Sequence, residues 1–329
     1  MRASLLRRVA DAIILFWLVV SLTFILVRLA PGDPAELLIS PSASAGERAQ
    51  LRASLGLDAS IATQYARWSG ALLRGDLGES VALHRPVRAV LAEAVPISLG
   101  LGLASLALTF IVGVPIGLAQ ALRRGTMSDR LLTIVTTTVY AAPAYWLALA
   151  LVAVFTYGAA SWGLPAWLRL PAFGLHAPGG SPGGLAGVRD LLRHSVLPVT
   201  ILAAVGAAGI ARYARTSFAD LLDEDFMRTA RAKGAREHDV RWHHLLRPSL
   251  PPLVILFALA LPGVIAGSIF VEAIFAWPGM GRVMVTAIST RDYPVVLGAT
   301  LLYAALVIAA NLASDLVMPL LDPRRREAA

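Results

Sequence analysis

The amino-acid sequence predicts an all-α membrane protein with six transmembrane helices. Hydrophobic residues make up 57% of the 329 residues, charged residues only 15%, and the mean hydropathy is +0.68. A composition this apolar does not suit a protein whose whole surface faces water. The chain contains no Cys, which excludes thiolate catalysis, cysteine metal sites and disulfide bonds. Stability is therefore expected to come from the packing of helices within lipid.

Apolar runs of roughly 20 residues, long enough to cross about 30 Å of hydrocarbon, occur six times along the chain. They are residues 9–29, 96–122, 131–157, 195–214, 253–276 and 295–318. None has the alternation of polar and apolar residues that a membrane-spanning strand requires, so each is predicted to be a helix. The fourth run is rich in Gly and Ala, which favours close approach to a neighbouring helix.

Positive charge is concentrated on one side of the predicted membrane arrangement. Seventeen of the 29 Lys and Arg residues lie in the N-terminus, the loops after the second and fourth spans, and the C-terminus, together with nine acidic residues. Basic loops stay in the cytoplasm, so both termini are predicted to be cytoplasmic. The net charge of +8 then reflects membrane orientation, and no nucleic-acid partner is expected.

The predicted spans divide the chain into three regions. Residues 1–94 contain the first transmembrane helix and a long external loop. Residues 95–318 form a five-helix core. Residues 319–329 are a cytoplasmic tail. Within the external loop, residues 47–56 and 62–73 have the apolar spacing of short helices. Within the core, residues 218–250 form a charged cytoplasmic segment between the fourth and fifth spans.

The cytoplasmic segment is expected to form two short helices joined at a glycine. The run up to Lys233 favours a helix, and Gly234 is suited to end it because glycine adopts a positive φ without steric cost. A second helix is expected from Glu237 to about Arg247, and Pro248 is expected to shorten it. This pattern alone also fits a solvated hairpin that merely connects two spans.

The residue order in this segment resembles the coupling segment of ABC importer permeases. The general pattern of that family is Glu-Ala-Ala, three residues and Gly, and its peptide and nickel branch commonly has a version like Asp-Phe-Met-Arg-Thr-Ala-Arg-Ala-Lys-Gly at 225–234. Five further stretches resemble landmarks of that branch in the same order. They are Arg-Leu-Ala-Pro-Gly-Asp-Pro at 28–34, Gly-Asp-Leu-Gly-Glu-Ser at 75–80, Val-Glu-Ala-Ile-Phe-Ala-Trp-Pro-Gly-Met-Gly at 271–281, Arg-Asp-Tyr-Pro-Val-Val at 291–296 and Asp-Pro-Arg at 322–324. Over nearly its whole length the chain is similar to the B-type permease subunit of dipeptide, oligopeptide or nickel ABC importers.

This resemblance implies the type I ABC importer permease fold and ATP-driven import by alternating access across the inner membrane. It also implies three kinds of partner: a homologous second permease, two cytoplasmic ATPase subunits and an extracytoplasmic substrate-binding protein. The ATPase-coupling residues that it implies are Asp225, Arg228, Thr229, Ala230, Arg231, Lys233 and Gly234. Arg228 stands where the general pattern has Glu, so the polar partners at this position are open. The substrate is open among dipeptides, oligopeptides, nickel chelates and glutathione.

The chain itself is not expected to be an enzyme. A phosphate-binding Walker A loop ends in Gly-Lys-Ser/Thr, whereas the single Lys, Lys233, precedes Gly234. The resemblance therefore assigns ATP and Mg²⁺ to the partner ATPase subunits, and no catalytic residue or cofactor is expected here. No metal site is expected either, because His238, His243 and His244 lack the spacing and the acidic residue of a zinc motif.

A second candidate site lies near the outer end of the fifth span. Glu272 is an ionisable residue in an apolar run, about one turn from Trp277, Pro278 and Gly279. Such residues normally face the interior of a helix bundle or a partner. One interpretation is a structural hydrogen-bond acceptor, and the other is a carboxylate that lines the translocation path or its gate.

Two other classes of function are alternatives to the importer. An ion-gradient-driven secondary transporter would have internal inverted repeats, broken helices and several ion ligands at the membrane midplane, and the sequence does not show these features. The other alternative is a membrane scaffold that transports nothing.

Overall fold

The computed structural model describes residues 2–29, 44–54, 56–179, 183–266 and 269–321. Within these ranges the chain is helical apart from turns and one isolated β-bridge between Glu79 and Pro86. The main helices are α1 Arg2–Leu29, α2 Ala45–Ser54, α3 Ile61–Leu73, α4 Val87–Leu122, α5 Met127–Ala141, α6 Ala144–Val152, α7 Gly184–Leu222, α8 Asp225–Ala232, α9 Arg247–Ala266, α10 Ile269–Ile274, α11 Met280–Ser289 and α12 Tyr293–Leu321. Most of the motif at 28–34 and the motif at 322–324 lie outside the described residues.

Six helices in the described ranges are long and apolar enough to cross a membrane, as the sequence predicts. The third predicted span, 131–157, is wrong as a single helix. Its residues are divided between α5 and α6, since Pro143 has no N–H and Ala142 takes the extended backbone (φ −72°, ψ 135°) that a following proline favours. A π-helical turn, Ala153–Gly158, continues α6 toward Ser161.

The two short helices predicted between the first and second spans are confirmed. They are α2 and α3, and Gly56 after α2 has the positive φ (+67°) expected of a helix stop. The hydroxyl of Ser60 accepts a hydrogen bond from the N–H of Thr63 and so caps the N-terminus of α3.

The chain is divided into two compact units, of which the first comprises Met1–Ser98 and Pro278–Leu312. Its core contains Val87 and Leu91 of α4, Met280 of α11 and Ala299 of α12.

In the first unit, Asp292 joins two stretches that are 210 residues apart in the sequence. Its buried carboxylate accepts hydrogen bonds from the Ser80 hydroxyl and from the N–H groups of Val81 (3.2 Å) and Ala82 (3.1 Å). It also accepts a hydrogen bond from the N–H of Val295 (3.4 Å). Asp292 directly precedes α12, so this bond makes Asp292 the N-cap of that helix. The landmarks at 75–80 and 291–296 therefore meet at this carboxylate.

The second unit comprises Leu99–Trp277 and Ala313–Ala329. In it, α4 and α7 approach closely through small residues. A Cβ added to Gly117 would lie 2.6 Å from the carbonyl oxygen of Ala211 and 2.6 Å from the Cβ of Ala214, and one added to Gly113 would lie 2.9 Å from the carbonyl oxygen of Ala207. The predicted role of the Gly- and Ala-rich fourth span in close packing is thus confirmed.

We expect Gly117→Val to destabilise this helix pair. The new side chain has no space against the α7 backbone, and overpacking of this kind costs about 1 to 3 kcal/mol or more. Gly100→Val is the matched control because a Cβ at Gly100, on the same helix, meets nothing within 4 Å. The measurement is the thermal stability of the purified protein in detergent. Equal stability of the two variants would contradict the packing described for α4 and α7.

Candidate functional site

The charged segment at 218–250 contains α8, an eight-residue helix that begins at Asp225 shortly after α7 ends. It ends as predicted, since Gly234 has φ +77°. The N–H of Gly234 donates to the carbonyl of Arg231 (2.9 Å), and the N–H of Ala235 donates to the carbonyl of Ala230 (3.1 Å). This pair of bonds is a Schellman motif, which satisfies terminal carbonyl groups and requires the left-handed backbone that Gly234 supplies.

The buried face of α8 packs the helix against the rest of the second unit. Met227 is fully buried and Ala230 nearly so. Met227 belongs to a core cluster with Phe218 of α7, Val240 of the chain after Gly234 and Leu253 of α9. Burying a side chain such as Met227 contributes roughly 1.5 to 3 kcal/mol. The packing therefore fixes α8 to the helices on both sides of it.

The other candidate coupling residues lie on the exposed face of α8 and in the turn that follows it. The exposed residues of the predicted set are Asp225, Arg228, Thr229, Arg231, Lys233 and Gly234. Arg228 lies 3.6 Å from Asp225, and Arg231 lies 3.2 Å from Glu237. Exposed pairs of this kind contribute little to stability, so these charges are better suited to contact a partner than to hold the fold. Ala230 faces inward and belongs to the base of the helix.

The expectation that Pro248 shortens the second cytoplasmic helix is wrong. The chain is helical from Glu237 to Ala266, and the turn before the proline, Val240–Leu246, is a π-helix. A membrane helix can continue through a proline when local π-helical turns and Ser or Thr hydroxyls accommodate it and satisfy carbonyl groups that its missing N–H leaves free. The hydroxyl of Ser249 also donates to the carbonyls of Leu245 (3.0 Å) and Leu246 (2.7 Å). The end of the charged segment at 218–250 is therefore helical and continuous with the fifth span.

An ion pair with a buried carboxylate lies beside this segment and was not predicted from the sequence. The carboxylate of Asp129, at the start of α5, accepts two hydrogen bonds of 2.9 Å from the guanidinium of Arg215 on α7. It also accepts from the N–H of Gly125 (3.0 Å) and the hydroxyl of Thr133 (3.4 Å). Asp129 is 3% exposed. This pair attaches α5 to α7, the helix that directly precedes α8 and its candidate coupling residues.

The environment of Asp129 keeps its carboxylate ionised. Hydrogen bonds from the Arg215 guanidinium, aided by the N–H of Gly125, lower the pKa of Asp129 to about 2, although burial alone would raise it. A bidentate Arg–carboxylate pair is also geometrically specific, because two parallel bonds fix the relative orientation of both groups. The pair therefore fixes orientation as well as distance.

The second candidate site is divided between the two units. Glu272 and Trp277 belong to the second unit, whereas Pro278 and Gly279 belong to the first. The side chain of Glu272 is fully buried, at 0% exposed, and Trp277 is also buried. The N–H of Trp277 donates to the carbonyl of Glu272 (2.8 Å), which folds the chain back after α10. The assignment of these residues to a translocation path or gate stays a prediction.

The sequence matches two models of one protein family. Residues 113–327 match the binding-protein-dependent transport system inner membrane component, and residues 1–102 match the N-terminal part of the same kind of membrane component. The chain is 37% identical over 306 residues to a putative peptide permease protein of Brucella ovis, with 92% of each chain covered. It is 33% identical over 325 residues to the oligopeptide transport system permease protein AppB of Bacillus subtilis, with 98% of this chain and 99% of AppB covered.

Further comparisons agree with these matches. The glutathione transport system permease protein GsiC of Salmonella paratyphi A is 35% identical over 321 residues, with 98% of each chain covered. A chain of the MetNI methionine ABC transporter, solved in an inward-facing conformation, superposes with a TM-score of 0.51 at 18% identity and covers 71% of this chain and 97% of its own length. That similarity shows a shared fold. The chain therefore belongs to the binding-protein-dependent transport system inner membrane component family and is a multi-pass inner-membrane permease subunit, itself non-catalytic, of an ABC importer with the type I fold.

Proposed function

We propose that this permease imports short peptides and that α8 is the surface through which cytoplasmic ATPase subunits drive it. The names of the relatives, which include peptide, oligopeptide and glutathione permeases, support the peptide substrate. The observation that carries the coupling role is the division of α8 into a buried base around Met227 and an exposed face with Arg228 and Lys233. A helix fixed in this way moves with α7 and α9 when a partner displaces it.

The proposed assembly contains this chain, a homologous second permease, two ATPase subunits that bind ATP and Mg²⁺, and an extracytoplasmic substrate-binding protein. ATP binding closes the ATPase dimer, α8 moves rigidly with it, and the helices on either side of α8 carry the motion into the membrane. A change of this kind needs two states and a ligand that binds them with different affinity, which ATP and the loaded binding protein supply.

Uptake by the reconstituted complex tests this function. Proteoliposomes with internal ATP and external binding protein should accumulate labelled dipeptide, longer peptide or glutathione, and vanadate should stop the uptake. Parallel samples with a nickel chelate test the other substrate class. Uptake that is independent of ATP and abolished by an ionophore would instead indicate a secondary transporter. A chain that purifies without ATPase subunits and transports nothing would indicate a scaffold.

The proposed topology places α8 in the cytoplasm and Asp58 outside, because basic loops stay inside. The chain has no Cys, so a single introduced Cys reports its own side without a background signal. In intact cells, an impermeant maleimide should label Asp58→Cys and leave Lys233→Cys unlabelled until the membrane is opened. Both native residues are exposed, which makes the two sites comparable. The opposite labelling pattern would overturn the topology.

For Glu272 we propose that burial gives the carboxylate a structural role that sets the position of the outer gate. Replacement of a buried acceptor by an apolar group leaves donors unpaired at a cost of about 1 to 3 kcal/mol. Glu272→Leu should therefore reduce both the yield of assembled complex and uptake. Glu272→Gln keeps an acceptor and should retain assembly. Normal assembly and uptake in both variants would show that this carboxylate has neither role.

A further inference from the structure

One helix of the external loop, α3, packs against the membrane-spanning helix α1 well inside the apolar stretch of α1. The hydroxyls of Tyr65 and Ser21 are hydrogen-bonded at 2.6 Å, and the Tyr65 and Trp68 rings lie 5.4 and 5.1 Å from the ring of Phe24. The apolar stretch ends at Leu29. At 1.5 Å per residue, Ser21 lies about 12 Å and Phe24 about 8 Å inside that end.

The burial of α1 indicates what surrounds this contact. Phe24 is 0% exposed beneath the α3 aromatic rings, whereas Leu18, Leu22 and Leu26 on other faces of the same helix are 51 to 58% exposed. In a membrane-spanning helix, exposed apolar side chains of this kind face lipid. Around Phe24, α3 thus occupies space that lipid fills along neighbouring faces of α1.

Arg28, one turn after Phe24 on α1, packs back against the same aromatic cluster. Its guanidinium lies over the rings of Phe24 (5.4 Å) and Tyr293 (5.8 Å). The depth of the contact follows from the length of the apolar stretch of α1. Because Tyr65 and Trp68 contact α1 about 8 to 12 Å inside the end of that stretch, α3 lies within the depth of the membrane and not above it in bulk water.

The distribution of side chains around α3 fits a helix that packs against α1 within the depth of the membrane. At about 100° per residue, Tyr65, Trp68 and Leu72 share the face toward α1, and Thr63 and Arg67 point away from it. Ala66 and Leu73 lie on one flank between these faces, and Leu73 is 76% exposed. A helix with an apolar flank, a polar face with Arg and aromatic residues at its contact is typical of membrane interfaces.

We propose that α3 lies in the lipid interface, with its Ala66 and Leu73 flank against acyl chains and Arg67 at the level of the phosphates. The occupant of this flank is phospholipid, since the flank continues the lipid-facing surface of α1. The consequence concerns the segment that follows, because α3 leads through Gly75 to Ser80, which is bonded to Asp292. Lipid contact with α3 therefore sets the distance of the 75–80 segment from the membrane surface. The proposed topology decides only which leaflet is involved.

Spin-label depth measurement tests this position in the full chain. Single-Cys variants across residues 61–74 are made in the Cys-free chain, purified with its associated subunits and reconstituted into vesicles of phosphatidylethanolamine and phosphatidylglycerol. A nitroxide is attached, and its collisions with oxygen, which is enriched in lipid, are compared with those with a water-soluble nickel complex. Ala66→Cys and Thr63→Cys form the matched pair, because both residues are exposed and they lie on the flank and on the polar face.

We expect oxygen to dominate at Ala66→Cys and Leu73→Cys, the nickel complex to dominate at Thr63→Cys, and the ratio to vary with a period of about 3.6 residues. The flank labels should report depths on the order of 5 to 10 Å below the phosphates. Strong nickel collisions at all exposed positions would place α3 in water and overturn the proposal. Weak collisions with both reagents on the flank would show that protein covers it and would also overturn the proposal. Depth does not depend on sidedness or on substrate, so failure here is distinguishable from failure of the proposed function.

Discussion

Replacing Gly234 with Val is expected to leave membrane insertion intact and to abolish stimulated ATP hydrolysis together with uptake. A Cβ at Gly234 meets nothing within 4 Å, so the chain itself does not clash with the new side chain. The cost comes from the backbone, because φ +77° disfavours a non-glycine residue by about 1 to 2 kcal/mol. That cost is equivalent to a shift of roughly 5- to 30-fold in a two-state equilibrium. The Schellman motif should open and the exposed face of α8 should lose its orientation.

Gly234→Asn is the control that separates backbone strain from the loss of a glycine. Asn adopts the left-handed region far more readily than Val does, so this variant should retain most of the stimulation. The measurement is the ATPase activity of reconstituted complexes with and without peptide-loaded binding protein, alongside uptake. Full stimulation in Gly234→Val would show that Gly234 is an ordinary loop residue and would remove residues 225–234 from the coupling account.

Breaking the pair between Asp129 and Arg215 is expected to have the second large effect. Asp129→Asn removes the charge that holds the Arg215 guanidinium, whose side chain is 34% exposed, and so weakens charge-assisted hydrogen bonds that contribute at most about 1.5 to 3 kcal/mol. With α5 loosened from α7, displacement of α8 should no longer move both helices together. Uptake should therefore fall more than basal ATP hydrolysis does.

A second acid–base pair on the same side of the protein provides the control. Arg124 and Asp223 lie 3.3 Å apart with side chains 64% and 74% exposed, and such a pair contributes little. Asp223→Asn should thus resemble the wild type. The double variant Asp129→Asn with Arg215→Gln should recover part of the lost thermal stability, since it leaves no unpaired charge on the partly buried Arg215 side. Equal effects of Asp129→Asn and Asp223→Asn would contradict the assigned role.

The lowered pKa of Asp129 predicts how this contribution depends on pH. A carboxylate whose pKa is lower in the folded state than in the unfolded state stabilises the fold fully above its unfolded pKa of about 3.9. The stabilisation is lost as the pH falls through about 4 toward the folded pKa of about 2. Between pH 5 and 8, the difference between wild type and Asp129→Asn should be constant. A difference that disappears near pH 6 would mean that another group is responsible.

Local patterns were sufficient to predict much of this protein. The six spans follow from runs of apolar residues whose backbone must satisfy its own hydrogen bonds in lipid. The end of α8 followed from Gly234, because the residue type and its place after a helical run specify the Schellman geometry without any distant contact. The two helices of the external loop were predicted from apolar spacing in the same way.

Features that depend on distant contacts were not predicted. Asp129 and Arg215 are 86 residues apart, and nothing in the sequence distinguishes either of them from the other charged residues on the predicted cytoplasmic side. Asp292 and Ser80 belong to two recognised motifs, but nothing in either motif shows that one donates to the other. The helix through Pro248 was missed for a different reason, since the π-helical turn that precedes the proline has no simple sequence pattern.

The most direct measurement of the central claim is photocross-linking from α8. A benzophenone maleimide on Arg228→Cys, at the exposed face of α8, should form an adduct with an ATPase subunit in the assembled complex, and ATP with vanadate should change its yield. Met127→Cys, at an exposed position at the start of α5, serves as the reference. The account predicts that the ATPase subunit is the main adduct from Arg228→Cys. An ATPase adduct from Met127→Cys with none from Arg228→Cys would contradict the claim that α8 couples this permease to ATP hydrolysis.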